Sequence, residues 1–169
     1  MTVPDWHLEP IARHHRRQDF DCGDPDLNLF LHRFARQGHE QNALKTFCAI
    51  DDSDPGRILG FYTIAPASIE HALVPAQMTR GLARHDIAGY RLARLATDCS
   101  VAGQGLGTKL VASAVRRCYL AASEFGGILL IIDAKNARAA TWYKQFGAEP
   151  SLDEPLTLVM PLSTLAVEF

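Results

Sequence analysis

The stretch GQGLGT, residues 103–108, joins a strand-like run, residues 90–97, to a helix-like run, residues 106–123. Glycine leaves backbone N–H groups open to an anion because no Cβ atom intervenes. The N-terminus of the following helix adds aligned N–H donors and a partial positive charge. This stretch therefore predicts a phosphate-binding loop that opens a helix.

Two common phosphate loops do not fit the spacing. In the P-loop motif G-x-x-x-x-G-K-[ST], a glycine precedes the lysine, whereas no glycine directly precedes Lys109, and Leu110 follows it. The dinucleotide motif G-x-G-x-x-G would need a glycine at Thr108 and an acidic residue at the end of the next strand, about 20 residues on. Glu124 falls at the end of the helix instead. The loop therefore belongs to another class.

The apolar pattern predicts strands alternating with helices. After a first strand, the predicted elements are a helix from Pro25 to about Gly38, strands 44–50 and 58–65, strand 90–98, helix 106–123, strand 128–132, a short helix from Asn136 to Gly147, and strand 155–162. Pro66 is expected to end its strand. Residues 66–89 show only a short helical pattern, near Gln77 to Arg84, and form a connection long enough to suggest a functional loop or lid. The order predicts an α/β or α+β sheet with helices on its faces.

The bulk composition is that of a globular protein. A chain of 169 residues with 47% hydrophobic and 21% charged residues fits one domain, residues 1–169. The sequence shows neither a membrane-spanning run nor the apolar core of a secretory signal near Asp5 and Glu9, so we expect a cytoplasmic protein. Net charge is −2, which predicts no general affinity for polyanions.

The four cysteines predict neither a disulfide framework nor a zinc finger. None are paired as C-x-x-C, and no histidine stands at zinc-finger spacing. Cys48 and Cys118 fall on apolar faces, where a thiol packs as a small hydrophobe.

A second motif follows the last buried strand. Asn136, Ala139 and Tyr143 lie at positions i, i+3 and i+7, on one face of a predicted helix. With the loop, this motif resembles the GNAT N-acetyltransferases, whose pyrophosphate loop is Gln/Arg-x-x-Gly-x-Gly/Ala and whose later helix carries Asn-x-x-Ala-x-x-x-Tyr. The glycines match residues 105 and 107. Ala102 takes the first position and so removes a side chain that usually shapes the loop.

This resemblance implies a fold, a cosubstrate and a catalytic acid. The fold would be the α/β (α+β) GNAT fold, a central mixed, mostly antiparallel sheet with helices on both faces and splayed strands that hold acetyl-CoA; no metal is implied. Tyr143 would protonate the leaving thiolate, because a phenol with a pKa of about 10 can donate to a thiolate with a pKa near 8.5. The cofactor-binding residues would be Ala96, Thr97, Asp98, Gly103, Gln104, Gly105, Leu106, Gly107, Thr108, Asn136 and Ala139.

A narrower resemblance covers roughly residues 5–162. The patterns FDCGxxxLxxFL at 20–31, GFYTIAP at 60–66, RLARLA at 91–96 and PLTL at 155–158 resemble the acetyltransferase toxins of bacterial type II toxin–antitoxin modules. That resemblance implies aminoacyl-tRNA as substrate, a ribbon-helix-helix antitoxin as partner and a homodimer. Candidate tRNA contacts are Arg80, Arg84, Arg91 and Arg94, with Lys109, Arg116 and Arg117 as further ones.

Two other functions remain open from the sequence. The chain could acetylate a small amine or a protein N-terminus, or it could bind acetyl-CoA with little turnover. An α-amino group, with a pKa of about 8, is partly neutral at physiological pH, whereas a lysine amine near 10.4 needs a base. No carboxylate stands out as that base, which favours an α-amine substrate. The sequence does not indicate which tRNA is chosen.

Overall fold

A computed structural model describes residues 2–165. The strands are β1 Trp6–Pro10, β2 Lys45–Asp51, β3 Ile58–Ile69, β4 Ile87–Thr97, β5 Leu129–Asp133, β6 Glu149–Pro150 and β7 Thr157–Pro161. The helices are α1 Pro25–Leu29, α2 Ala35–Glu40, α3 Leu106–Phe125, α4 Ala137–Lys144 and α5 Leu162–Leu165, and a π-helical turn, Phe30–Phe34, joins α1 to α2.

The seven strands follow the sheet order β1-β2-β3-β4-β5-β7-β6. β1 with β2, β2 with β3, β5 with β7, and β6 with β7 are antiparallel, whereas β4 and β5 are parallel. The predicted class, a mixed and mostly antiparallel sheet with helices, is therefore confirmed. Contacts between residues divide the chain into two compact units. The first consists of Met1–Ala65 and Arg94–Ser113, and the second of Pro66–Ala93 and Ala114–Phe169.

The first unit is built on the helix predicted from Pro25. Asp24 caps it, since its carboxylate accepts hydrogen bonds from the backbone N–H groups of Asp26 and Leu27. The apolar stripe then buries Phe30 and Leu31 in a core with residues of β2 and β3 and with the loop after β1. The buried members of this core are Ile11, Phe20, Phe30, Leu31, Ala35, Cys48, Ile50, Ile58, Phe61 and Ala96.

The second unit has its own apolar core, made by the end of β3, by β4, β5 and β7, and by the connection before β4. Its buried members are Ile69, Val74, Ile87, Leu129, Ile131 and Val159. Cys118 of α3 is also buried, as Cys48 is in the first unit, so the predicted packing of both thiols is confirmed. Burial raises the pKa of each of these two thiols to about 12.

Two local predictions were wrong. Pro66 does not end its strand, because β3 continues to Ile69. The β2 ladder stops at the pair Lys45 and Ile64, so the missing N–H of Pro66 removes no bond from that ladder. Residues 77–84 do not form a helix either; the connection holds two short 3-10 turns, His71–Leu73 and Ala76–Met78. Among residues 2–165, no helix combines the length and the apolar character needed to cross a membrane.

Candidate active site

The end of β4 is fixed by Asp98, which was predicted to contact the cofactor. Its carboxylate accepts hydrogen bonds from the N–H of Asp21 at 3.0 Å and from the N–H and hydroxyl of Ser100 at 3.0 and 2.7 Å. Its own N–H donates to the carbonyl of Leu59 at 2.8 Å. These bonds start a 3-10 turn, Cys99–Val101, directly before the glycine loop. Asp98 therefore holds the loop in place through both its side chain and its backbone.

The loop itself has the backbone geometry of an anion-binding turn. Gly103 and Gly105 adopt φ values of +72° and +88°, a left-handed conformation that costs other residues about 1–2 kcal/mol. An added Cβ at either position would meet no atom within 4 Å, so conformation rather than crowding requires glycine here. α3 begins at Leu106, whose side chain is buried and anchors the first turn. The first N–H groups of a helix lack intrahelical partners and remain available to an anion.

Two side chains of the loop differ in their surroundings. Ala102 is exposed at the end of the 3-10 turn, and its N–H donates to the carbonyl of Cys99 at 3.4 Å. The Oε1 atom of Gln104 is buried, and within residues 2–165 it has no hydrogen-bond partner. A buried acceptor without a partner is costly, so this side chain does not stabilise the loop through its oxygen.

The second motif lies in the second unit, on α4. Asn136 caps this helix through its Oδ1 atom, which accepts from the N–H of Ala139 at 2.9 Å. Tyr143 is 6% exposed, and its ring packs edge-on against Trp142 with centroids 5.0 Å apart. Burial raises the pKa of the Tyr143 phenol, and the negative charge of Asp133 raises it further.

The Tyr143 hydroxyl makes no hydrogen bond to any residue within 2–165. The hydroxyl oxygen is not among the fully buried polar atoms that lack a partner, so it keeps some exposure and a bound molecule can reach it. A phenol with an ordinary pKa of about 10 is protonated at neutral pH, and the raised pKa of Tyr143 leaves it so.

The four candidate tRNA arginines fall into two pairs. Arg80 and Arg84 are exposed in the connection before β4, and neither makes an ion pair with a residue of the described chain. Arg91 is held by Asp133, with 2.6 Å between its Nη1 atom and Oδ1. The guanidinium of Arg94 lies 4.0 Å from the ring centroid of Phe30, a cation–π contact. Further exposed cations are Lys109, Arg116 and Arg117.

The structure assigns the predicted residues to both units. Ala96 to Thr108, together with Arg94, belong to the first unit, whereas Asn136, Ala139 and Tyr143 belong to the second. Asp133 was not singled out from the sequence. A signal for it existed, because it ends the buried strand β5 three residues before Asn136, at the carboxyl end of a strand.

Comparison with known proteins decides the family. No protein-family model matches the chain. A tRNA-acetylating toxin of Mycobacterium tuberculosis is 33% identical over 141 residues, which cover 83% of this chain and 82% of that protein. The chain belongs to this family of acetyltransferase toxins.

Two solved structures of the toxin AtaT extend the likeness to the whole fold. AtaT complexed with acetyl-methionyl-tRNAfMet is 29% identical, with a TM-score of 0.90 and coverage of 96% of this chain and 98% of that chain. A tyrosine-to-phenylalanine mutant of AtaT, bound to the C-terminus of the antitoxin AtaR and acetyl-CoA, is 28% identical, with a TM-score of 0.83 and coverage of 96% and 97%. These neighbours have the GNAT fold, as predicted for this family member.

Proposed function

We propose that the protein transfers the acetyl group of acetyl-CoA to the α-amino group of an aminoacyl-tRNA and thereby inhibits translation, with residues 1–169 acting as one acetyltransferase domain. The observation that carries this proposal is Tyr143, whose side chain is buried on a helix of the family pattern and whose hydroxyl makes no hydrogen bond within the described residues. The similarity to tRNA-acetylating toxins supports the choice of substrate.

The glycine loop would hold the pyrophosphate of acetyl-CoA. Backbone N–H groups of Gly103–Thr108 supply the donors, and the dipole of α3 favours the negative charge. Because these donors belong to the backbone, the absence of a glutamine or arginine at Ala102 weakens the site without removing it. The amide groups of pantetheine would pair with the backbone near Ala96 and Thr97, as an added strand does, and Asn136 and Ala139 would lie beside its arm.

One of the three backbone N–H groups considered as oxyanion donor is already hydrogen-bonded. The oxyanion that forms during acetyl transfer needs a free N–H group aimed at it. The N–H of Asp98 already donates to Leu59, so it is not available. We therefore assign the donor to Ala96 or Thr97 at the end of β4.

The reaction needs one proton at the leaving group. The neutral α-amine attacks the thioester carbon, a C–N bond forms, the C–S bond breaks, and the thiolate of CoA takes the Tyr143 proton. The amine nitrogen loses one proton to solvent, and solvent returns one proton to the Tyr143 phenolate. Since an α-amine has a pKa of about 8, a good fraction of it is neutral without a general base. Burial makes the phenol a weaker acid than in water, but it also makes a thiolate formed in an apolar site more basic.

Exposed arginines would bind the phosphates of tRNA. Arg80 and Arg84 have free side chains for such contacts, whereas Arg91 and Arg94 are oriented by Asp133 and Phe30. Contacts of this kind weaken steeply with added salt, since binding releases counterions. A steep salt dependence of the KM for tRNA is therefore expected.

The partners that we propose for the protein are those expected for a member of this toxin family. We infer a ribbon-helix-helix antitoxin and a homodimeric state. The AtaT complex that contains AtaR supports an antitoxin as partner. A cytoplasmic location follows from the proposed substrate, because charged tRNA is found there.

A transfer assay tests the proposal against its alternatives. Purified protein is incubated with labelled acetyl-CoA and, separately, charged tRNA, uncharged tRNA, small amines and peptides. Label should enter charged tRNA alone. Label in amines or peptides at comparable rates would establish the other substrate class, and the absence of turnover on every substrate would leave a binding module.

A further inference from the structure

The π-helical turn between α1 and α2 moves an aromatic side chain out of the core of the first unit. Phe30 and Phe34 follow Leu27 at three and seven residues, so an uninterrupted α-helix would bury all three on one face. In the π-helical turn, the N–H of Ala35 donates instead to the carbonyl of Phe30, five residues earlier. Ala35 is therefore the residue buried on the next turn, and Phe34 is 55% exposed.

The exposed position of Phe34 is not what folding alone favours. A buried aromatic ring removes a large apolar surface from water, and the core that contains Phe30 and Ala35 lies on the same helical segment. π-helical turns are rare and are frequently found at functional sites. The turn and the exposed ring together indicate that Phe34 serves binding rather than packing.

The sequence around Phe34 is positively charged. Residues 27–39 include two arginines and two histidines but no acidic residue. Arg33, next to Phe34, is exposed and makes no ion pair within residues 2–165, whereas Arg36 pairs with Glu40 at 2.8 Å. The available charge therefore favours a partner that is negatively charged.

Arg94 adds a second cation at the other end of the π-helical turn. Its guanidinium lies 4.0 Å from the ring centroid of Phe30 and is oriented by that ring. Stacking on a ring uses the face of the guanidinium, so the N–H groups in its plane can still donate to a phosphate.

The turn also lies beside the strand end at which acetyl transfer is proposed. Arg94 is two residues before Ala96 on β4, and residues at this spacing point to the same face of a strand. Ala96, one of the two candidate oxyanion donors, shares a buried core with Phe30. All of these residues belong to the first unit.

We propose that Phe34 is a stacking platform for an unpaired base at the 3′ end of the charged tRNA, with Arg33 and Arg94 binding neighbouring phosphates. The inference rests on the proposed function, because the aminoacyl group is attached to that 3′ end. Single-stranded nucleic acids are bound by aromatic rings that stack on bases and by cations that follow the backbone. A free phosphate would need only the cations, and an apolar protein segment would need only the ring.

The affinity for tRNA, measured by fluorescence anisotropy without acetyl-CoA, tests the platform. Phe34→Ala should weaken the binding of full-length uncharged tRNA by about 5–150-fold, the factor that corresponds to the loss of one base–aromatic stack. Phe34→Leu, which keeps an apolar side chain without a ring, should lose affinity to a similar degree, whereas Phe34→Trp should retain it. A tRNA that lacks its unpaired 3′ nucleotides should bind equally to the parent and to Phe34→Ala.

Two controls separate stacking from general effects. Phe125→Ala removes another exposed phenylalanine, in the second unit, and should bind tRNA as the parent does. Circular dichroism should show that Phe34→Ala remains folded, because a side chain that is 55% exposed leaves no large cavity when it is removed.

Four results would overturn the proposal. The first is the absence of tRNA binding by the folded parent, and the second is equal affinity of the parent and Phe34→Ala for full-length tRNA. The third is full affinity in Phe34→Leu, which would show an apolar contact without stacking. The fourth is dissociation of a dimer in Phe34→Ala, seen by analytical ultracentrifugation, which would make this face an interface between copies of the chain.

The transfer assay separates a failure of the platform from a failure of the proposed function. Acetylation of charged tRNA by the parent, with an unchanged KM for tRNA in Phe34→Ala, would refute the platform alone. The expected pattern of tRNA affinities without any acetyl transfer would refute the proposed function alone.

Discussion

Replacing Tyr143 with phenylalanine isolates the proposed acid from the packing of its ring. The hydroxyl makes no hydrogen bond within residues 2–165, so its removal breaks no hydrogen bond in that part of the chain, and the edge-on contact with Trp142 is kept. Loss of general-acid catalysis typically lowers kcat by about 10²–10⁴-fold, which corresponds to about 2.7–5.4 kcal/mol in activation free energy. We therefore expect Tyr143→Phe to lose activity by that factor while its melting temperature and acetyl-CoA affinity stay close to those of the parent.

Single-turnover transfer from labelled acetyl-CoA to charged tRNA measures this loss at the chemical step. Tyr119→Phe is the matched control, because Tyr119 is a partly exposed tyrosine of α3 in the same unit. It should retain parent activity. If Tyr143→Phe kept activity within about threefold of the parent, well below the range for a general acid, the assignment of the proton donor would be wrong.

Three further predictions concern the loop, the cap and pH. Gly105→Ala should weaken acetyl-CoA binding in calorimetry, because φ at this position is +88° and alanine is strained there. The control Gly81→Ala, at φ +79° in open space, should lower the free energy of unfolding by a similar amount without changing the affinity for acetyl-CoA. Equal affinity of the two variants for acetyl-CoA would refute the loop assignment. Asn136→Ala should cost about 0.5–2 kcal/mol of unfolding free energy in denaturant titrations, and no loss would show that the cap is dispensable. Hydrogen bonds from the hydroxyl and N–H of Ser53 lower the pKa of Asp51 in the folded protein. The stability that Asp51 contributes is therefore fully present above the usual carboxyl pKa of about 4, and it is lost as the pH falls through the lowered pKa of the folded state. Ser53→Ala should make the free energy of unfolding less dependent on pH in this range. An unchanged pH dependence would contradict the role given to Ser53.

Local chemistry made much of the fold predictable. The caps Asp24 and Asn136 act through hydrogen bonds to residues two or three positions away, so their helices could be placed from neighbouring residues alone. Pro66 was misread because its cost depends on where the β2 ladder ends, which is set by pairing between strands. The helical pattern near residues 77–84 was also misleading, because the connection takes its shape from packing against the core of the second unit rather than from its local sequence.

The site was predictable in part. The glycines of the loop and the spacing of Asn136 and Tyr143 can be read from the sequence. The role of Asp98 cannot, because it depends on Asp21, which lies 77 residues away.

The central claim is that the acetyl group enters the α-amine of charged tRNA. Nuclease digestion of the reaction products, followed by mass spectrometry of the terminal aminoacyl-adenosine, identifies the modified atom for each tRNA in a complete charged pool. The account predicts an N-acetylated aminoacyl group on at least one tRNA, formed by the parent and Tyr119→Phe proteins and nearly absent with Tyr143→Phe. Unmodified aminoacyl groups on every tRNA, with acetyl-CoA intact or its acetyl group found on another amine, would contradict it.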